Sequence, residues 1–210
     1  MNNIDSNNDN STNRIFINGV DVTNMERMSC FAMVGQENDL FRSLTLAENI
    51  MYGTKNCTND SKLHEILVEK ALSNAVEDAS LWPLIMKIEG GWNAQVGPRG
   101  RLLSGGERQR VCLARALFRE EIQGGILLMD EITASLDAKT ESQVTEALNQ
   151  RVHKGATAIL IAHRLASIQH CNIIIVMKDG KIIEKGNHHT LMDKRGWYYE
   201  SWNLQQIKTN

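Results

Sequence analysis

The sequence predicts an α/β protein with a mostly parallel sheet. Three apolar runs are too short for helices and are typical of buried strands: Ile126–Met129, Ala158–Ala162 and Ile173–Met177. A helical pattern over Glu141–Val152 lies between the first two runs. Strand and helix patterns that alternate in this way indicate parallel βαβ units.

The rest of the chain extends this plan. Residues 1–13 are dominated by Asn, Asp and Ser without apolar periodicity, so we expect them to be disordered. Ile15–Val34 is expected to contain strands, and residues from about 39 to 118 are mostly helical in pattern. We expect residues 120–125 to form a surface loop. Aromatic residues cluster at Gly196–Trp202, which favours a C-terminal helix packed on the core over a docking surface.

Composition is typical of a soluble domain and excludes several classes of function. The formal charge of −2 and the scattered basic residues give no electrostatic case for a nucleic-acid partner. The four cysteines lack CxxC spacing, which indicates reduced thiols and neither zinc nor disulfides: Cys30, Cys57, Cys112 and Cys171. No apolar run approaches the ~20 residues that cross a bilayer, so we expect any membrane location to come through a partner.

The run Leu103–Arg110 (LSGGERQR) has the pattern of a phosphate contact. Ser104 is a good helix N-cap, and Gly105 and Gly106 let backbone N–H groups approach an anion at the positive end of the helix dipole. Taken alone, such a turn is more often an ordinary loop and cap. Phosphate binding is favoured by the motifs that follow.

Two carboxylates, Asp130 and Glu131, end the first apolar run. Open α/β sheets bind ligands at the carboxyl ends of their strands. There Asp130 can hold Mg²⁺, directly or through water, and Glu131 can polarise an attacking water. An isolated acidic pair would be a solvated loop start, but its spacing after the glycine run favours the functional interpretation.

His163 follows the run that ends at Ala162, which predicts a histidine at the same sheet edge. A neutral imidazole there can hydrogen-bond a γ-phosphate and position the water that Glu131 activates. For a lone histidine, a structural role at the strand end would be the better interpretation.

Together these motifs resemble the nucleotide-binding domain of ABC transporters of the exporter type. The matches are Gln36 to the Q-loop glutamine, Leu103–Arg110 to the signature motif, Ile126–Glu131 to Walker B, Ser135–Asp137 to the D-loop and His163 to the switch histidine. The resemblance implies a P-loop NTPase-like ABC ATPase fold over residues 14–205, with a helical subdomain at about 39–118.

The resemblance also implies ATP and Mg²⁺ as cofactors. Glu131 and His163 would be catalytic, and Gln36 and Asp130 would bind the metal. The nucleotide would contact these last two residues together with Ser104, Gly105, Gly106, Glu107 and Asp137. Segments 40–50 and 96–100 resemble exporters more than the soluble ABC ATPases of DNA repair and translation, which are a third alternative. Residues 179–182 also resemble the C-terminal hairpin of exporters.

One motif of the family is absent, because the 210 residues contain no G-x-x-x-x-G-K-[ST] phosphate loop. The resemblance places that loop before Arg14–Asp21, so we expect the first strands and the phosphate-loop helix to be missing. The isolated chain is then expected to hydrolyse ATP barely or not at all. One side of its sheet would be exposed, which predicts poor solubility.

In the family, two such domains close head to tail, so that the signature motif of one contacts the ATP on the phosphate loop of the other. The resemblance therefore implies a second nucleotide-binding domain and an exporter's transmembrane domain as partners, on the cytosolic face of a membrane. The main hypothesis is an exporter ATPase domain whose N-terminal part and membrane domain lie outside this chain. The alternative is a non-catalytic module that donates its signature motif to a partner, or an inactive fragment.

Overall fold

The computed structural model describes residues 15–17, 19–21, 31–36, 39–54, 61–133 and 135–209. The predicted disorder of residues 1–13 therefore lies outside the described residues. The described strands are β1 (Phe16–Ile17), β2 (Val20–Asp21), β3 (Phe31–Val34), β4 (Ile126–Asp130), β5 (Thr157–Ile161), β6 (Ile174–Lys178) and β7 (Lys181–Gly186). The α-helices are α1 (Leu46–Met51), α2 (Ser61–Asp78), α3 (Trp82–Lys87), α4 (Gly105–Gln123), α5 (Ala138–His153), α6 (His188–Lys194) and α7 (Trp197–Thr209). Short 3₁₀ helices cover Gly91–Asn93, Pro98–Gly100 and Leu165–Ile168.

A parallel sheet of order β3-β4-β5 carries the site. Val34 pairs with Met129, and Met129 pairs with Leu160, so the three strands end at nearly the same level. Helix α5 connects β4 to β5, which confirms the predicted βαβ unit. The carboxyl ends of all three strands therefore lie at one edge of the sheet.

Helix α4 forms the centre of the main core. Its N-cap is Ser104. The side chain of Ser104 accepts a hydrogen bond from the backbone of Glu107, and the side chain of Glu107 accepts one from the backbone of Ser104, which forms a capping box. Its apolar side includes Val111, Leu113 and Leu117, each at most 1% exposed, which join the core formed with α1, α2 and β3. The helical region between β3 and β4 thus packs against one face of the sheet.

The prediction of a loop at residues 120–125 is wrong for most of that segment. Helix α4 continues to Gln123 and ends only at Gly124, whose φ of 70° suits a residue without a side chain. The added turn places the carboxylates of Glu120 and Glu121 at 2.8 and 2.9 Å from the guanidinium nitrogens of Arg151 in α5. Interactions with a distant arginine therefore accompany helix where the local sequence suggested a loop.

The alternating pattern predicted a parallel strand at Ile173–Met177, which is wrong, whereas the resemblance of residues 179–182 to the exporter C-terminal hairpin is confirmed. Strand β6 pairs with β7 in an antiparallel hairpin, separate from the parallel sheet. The two-residue turn between them has positive φ at both Asp179 (50°) and Gly180 (74°). This is the geometry of a tight antiparallel hairpin, which a parallel connection cannot use.

The C-terminal helix packs on the protein, as the aromatic cluster predicted. Tyr198 of α7 is fully buried in a second, smaller core with Leu165, Ile174, Val176 and Leu191. Trp202 packs against the same group. This core joins α7 to the hairpin and to the segment that follows β5.

Candidate nucleotide site at the carboxyl edge of the sheet

Three of the predicted site residues meet at the carboxyl edge of the sheet. His163 Nε2 lies 2.8 Å from Glu131 Oε1, and Gln36 Nε2 donates to the same oxygen at 3.4 Å. Each residue follows a different strand, so the parallel register brings them together across 127 residues of sequence, from 36 to 163. The carboxylate of Glu131 is the common partner of this group.

The backbone of Glu131 has an unusual conformation. Its φ of 54° is in the left-handed region, which costs a residue other than glycine of the order of 1–3 kcal/mol and is enriched at functional sites. Two hydrogen bonds stabilise it: Glu131 N donates to Ile161 O at 2.9 Å, and Gln109 Nε2 donates to Glu131 O at 3.1 Å. The side chain is thereby turned toward the ends of β3 and β5.

Gln109 is a site residue that the sequence reasoning missed. It lies on the buried side of α4, where it is only 5% exposed. Besides its bond to Glu131 O, its Oε1 accepts a short hydrogen bond from Ser135 Oγ. Gln109 thus links Glu131 to the loop before α5. A polar residue on the otherwise apolar side of a helix was the available signal.

The signature residues form the start of α4. Ser104 N donates to Glu107 Oε2 at 2.7 Å and Glu107 N donates to Ser104 Oγ at 3.2 Å, which confirms the predicted N-cap. The bond from the Ser104 backbone lowers the pKa of Glu107. Arg108 donates to the carbonyl oxygens of Leu103 (2.8 Å) and Gly100 (3.4 Å). The guanidinium of Arg108 is thus engaged by the preceding loop.

The two signature glycines have different surroundings. A Cβ atom at Gly105 would have no heavy atom within 4 Å, so this surface is open. A Cβ atom at Gly106 would lie 3.0 Å from Ser135 O, so the helix start is packed closely against the loop that leads to Asp137. Gly105 is available to a ligand or a partner, whereas Gly106 allows close packing within the chain.

Asp137 caps helix α5. Its carboxylate accepts hydrogen bonds from Thr140 N at 3.1 Å and from Thr140 Oγ1 at 2.7 Å, and these bonds lower the pKa of Asp137. The structure therefore gives this residue a local role at the helix terminus. The nucleotide contact implied by the resemblance stays a prediction.

The two residues predicted to bind metal, Gln36 and Asp130, end neighbouring strands and offer oxygen donors. Oxygen ligands of this kind fit Mg²⁺, which keeps several waters and binds phosphate oxygens alongside one or two side chains. Within the residues that the structure describes, no three His, Cys, Asp or Glu side chains are placed to hold a metal ion together. The metal-binding role of Gln36 and Asp130 stays a prediction.

Two further sequence predictions have partial outcomes. Cys112 and Cys171 are free thiols, and burial raises the pKa of each; Cys30 and Cys57 lie outside the described residues. Among the described helices, none combines the length and apolar character that crossing a membrane requires.

Comparison with known proteins agrees with the geometry. The family model described as "ABC transporter" matches residues 1–134. The ABC transporter BEA3 of Gibberella fujikuroi is 40% identical over 197 residues, which covers 92% of this chain and 14% of that protein. The ATP-dependent lipid A-core flippase of Syntrophus aciditrophicus is 37% identical over 195 residues, which covers 91% of this chain and 30% of the flippase.

A solved structure is similar as well. It is a bacterial Atm1-family ABC exporter with ATP bound, with a TM-score of 0.77 and 33% identity over 91% of this chain and 32% of that one. The chain thus spans a third or less of the length of each of these proteins. The fold similarity confirms the predicted α/β class and its ABC ATPase architecture.

Proposed function

The chain belongs to the ABC transporter family, and we propose that it is the ATP-binding cassette of an exporter, working with a membrane-domain partner. The family binds ATP with Mg²⁺ in general, and the relatives named above are transporters. The proposal places this chain at the cytosolic face of a membrane, attached through that partner. It includes head-to-tail pairing with a second cassette.

The observation that carries the proposal is the contact of Glu131 Oε1 with both His163 Nε2 (2.8 Å) and Gln36 Nε2 (3.4 Å). A carboxylate held between an imidazole and an amide at a sheet's carboxyl edge suits the positioning of a nucleophilic water. The side chain of Glu131 is 27% exposed, so solvent reaches it while its neighbours restrict its orientation.

In the proposed reaction, Glu131 accepts a hydrogen bond from the attacking water and polarises it. His163 holds a γ-phosphate oxygen and orients the water, while Gln36 contributes an amide to the same group. Asp130 and Gln36 would hold Mg²⁺, which when bound neutralises phosphate charge. In this assignment the protein contributes positioning and electrostatic stabilisation, which dominate phosphoryl transfer.

The signature motif would serve a second nucleotide. Ser104 is exposed and the surface at Gly105 is open, so the N-terminus of α4 can approach an anion held by another polypeptide. The 210 residues contain no phosphate-loop motif, so we propose that this chain depends on a phosphate loop from elsewhere for productive binding. A non-catalytic module would not need the grouping of Glu131 and His163, and we therefore favour the exporter cassette.

Association with a complete cassette tests this proposal. The chain is mixed with an exporter cassette that carries a phosphate loop, and the mass of the complex is measured by light scattering with and without ATP and Mg²⁺. We expect a one-to-one complex only with nucleotide. The variant Gly105→Glu should abolish it, since the added carboxylate would face phosphate while its Cβ meets no neighbour within 4 Å. Association that ignores ATP or this substitution would contradict the proposal.

A further inference from the structure

The C-terminal helix contacts the segment that carries His163. Gln205 of α7 donates from Nε2 to His163 O at 2.8 Å and accepts at Oε1 from Leu165 N at 2.9 Å. One side-chain amide therefore bridges two backbone groups, two residues apart in the chain. We call residues 162–168 the switch segment.

The switch segment needs this bridge for a physical reason. Leu165 begins a 3₁₀ helix whose N-cap residue, Arg164, makes no side-chain capping bond. Leu165 is also 7% exposed, and a buried N–H without a partner costs about 1–3 kcal/mol. Gln205 supplies the missing acceptor from a distant helix, while its N–H group fixes the carbonyl of His163.

Helix α7 is held firmly enough to act as a reference for this bridge. Tyr198, Trp202 and Gln205 lie at positions i, i+4 and i+7, so they share one face of the helix. Tyr198 is fully buried in the smaller core, which also contains Leu165. The packing that orders α7 therefore directs Gln205 toward the switch segment.

The N-terminus of α7 is fixed to the hairpin. Glu184 of β7 accepts hydrogen bonds from Trp197 N at 2.6 Å and from Tyr198 N at 3.1 Å. A Cβ atom at Gly196 would lie 2.1 Å from Glu184 Oε1, so a larger residue there would displace this carboxylate from its present position. Both ends of the helix thus have defined contacts with the rest of the protein.

A second element holds the switch segment from the side of α5. Glu141 lies 2.7 Å from Arg164 Nη1 and accepts from Ser167 Oγ at 2.8 Å. Both contacts lie on the C-terminal side of His163 and do not involve its own backbone. The bond to the His163 carbonyl comes from Gln205 of α7.

We propose that Gln205 is a positioning residue for His163. The imidazole is 82% exposed, so packing of the ring contributes little to its orientation. Its contact with Glu131 then depends on the backbone of the switch segment, which Gln205 fixes on both sides of Arg164. That His163 acts on a nucleotide rests on the proposed function, whereas the positioning itself is a property of this chain.

The test uses the full chain without nucleotide. Gln205→Met keeps the length of the side chain and removes both hydrogen bonds, and Gln206→Met makes the same change at an exposed neighbour on α7. The first readout is hydrogen exchange at the Leu165 amide by NMR. We expect exchange to accelerate about twofold to thirteenfold in Gln205→Met, the fold-change that corresponds to one hydrogen bond of about 0.5–1.5 kcal/mol. Gln206→Met should leave it unchanged.

The second readout follows the histidine directly. In the unmodified chain, Glu131→Gln should shift the ¹⁵N resonance of His163 Nε2, because the two side chains are in contact. In Gln205→Met, the same substitution should produce less than half of that shift. Methionine fills the same space as glutamine, so a smaller shift at His163 would come from the lost hydrogen bonds and not from lost packing.

Unchanged exchange at Leu165, or a full response of His163 to Glu131→Gln in Gln205→Met, would overturn the proposal. Neither measurement involves ATP. If nucleotide-dependent pairing fails while both NMR results hold, the proposed function is wrong and the positioning role stands. If pairing succeeds and the NMR results fail, only the role of Gln205 is wrong.

Discussion

Gly105 and Gly106 are adjacent in sequence but differ in what surrounds them. A methyl group at Gly105 enters open space, whereas one at Gly106 meets Ser135 O at 3.0 Å. Gly106→Ala is therefore expected to lower the free energy of unfolding by about 1 kcal/mol, because the helix start and the loop must separate. Gly105→Ala is expected to be neutral or slightly stabilising, since alanine favours helix over glycine. Urea unfolding of the two variants measures the difference, and equal midpoints would contradict it.

His188 predicts how stability depends on pH. Burial, and then the charges of His189 and His170, lower its pKa from 6.5 in the folded state, and its Nδ1 shares a 2.9 Å hydrogen bond with Tyr198 Oη. As pH falls below 6.5, the unfolded chain binds a proton before the folded one does, so the free energy of unfolding decreases. Stability is fully present above this range and is lost toward acid.

Urea unfolding at pH 7.5 and pH 5.5 measures this effect. His188→Asn should reduce the loss of stability between the two pH values. His189→Asn, a change at the exposed neighbour, should retain most of it. An identical pH dependence in the two variants would exclude His188 as the source.

At the scale of elements, Arg151 joins three helices. Its guanidinium contacts Asp78 of α2 at 2.5 Å, and Glu120 and Glu121 of α4 at 2.8 and 2.9 Å. Burial by itself lowers the pKa of Arg151. The surrounding carboxylates together outweigh burial and raise this pKa, and the hydrogen bond to Asp78 makes the largest contribution among them. This cluster fixes the helical region between β3 and β4 to helix α5, which follows Asp130 and Glu131 in the chain.

Arg151→Met is expected to lower the free energy of unfolding by about 2–3 kcal/mol, since three carboxylates would lose their common partner. Breaking a fully buried pair costs about 3–5 kcal/mol, and these carboxylates are 14–28% exposed, so the expected loss is smaller. Lys154→Met removes a nearby exposed charge and should change stability by less than about 0.5 kcal/mol. Equal stability of the Arg151→Met and Lys154→Met variants in thermal or urea unfolding would exclude a stabilising role for the Arg151 cluster.

Some strands and helices were predictable from the local sequence, and others were not. Local pattern predicted β4, α5 and β5, because each has its own periodicity and its own cap or turn. It missed the last turn of α4, where Glu120 and Glu121 contact Arg151 some thirty residues away. At β6 the alternating pattern wrongly indicated a parallel strand, whereas the resemblance of residues 179–182 to the exporter C-terminal hairpin was right.

The residues of the candidate nucleotide site also divide into those that the sequence predicted and those that it did not. Gln36, Glu131 and His163 were predictable because each follows a strand, and parallel strands bring their ends together. The partners of Gln109 and Gln205 were not predictable, because these contacts depend on how α4 and α7 are rotated against the sheet, although the polar Gln109 on an apolar helix side was a signal. The local role of Asp137 at the start of α5 also appears only in the structure, while the nucleotide contacts of the signature residues stay predictions.

At the scale of the whole molecule, one face of the parallel sheet is exposed. Met33 pairs with Leu128, and Leu128 pairs with Ile159, so these apolar side chains form a row across three strands. Met33 is 66% exposed and Ile159 54%. The opposite face, with Ala32, Val34, Leu127 and Met129, is buried against the helices. An exposed apolar row of this kind promotes self-association.

Ile159→Thr should therefore reduce self-association while keeping a β-branched residue in the strand. The matched control is Ile66→Thr on α2, which makes the same chemical change at a residue that is also 54% exposed. We expect light scattering at a fixed concentration to fall clearly for Ile159→Thr and to change little for Ile66→Thr. Equal effects would mean that general surface polarity, and not the sheet face, controls association.

Under the proposed function, the start of α4 in this chain acts on an ATP held by another cassette. The steady-state ATPase rate of a cassette with an intact phosphate loop, measured with and without this chain, tests this role. We predict a rate increase that falls by about 10²–10³ in Ser104→Arg, the typical cost of losing one preorganised donor, and persists in Ser104→Thr, which keeps the hydroxyl and the cap. A rate increase that is the same for all three chains, or no increase with the unmodified chain, would contradict the claim.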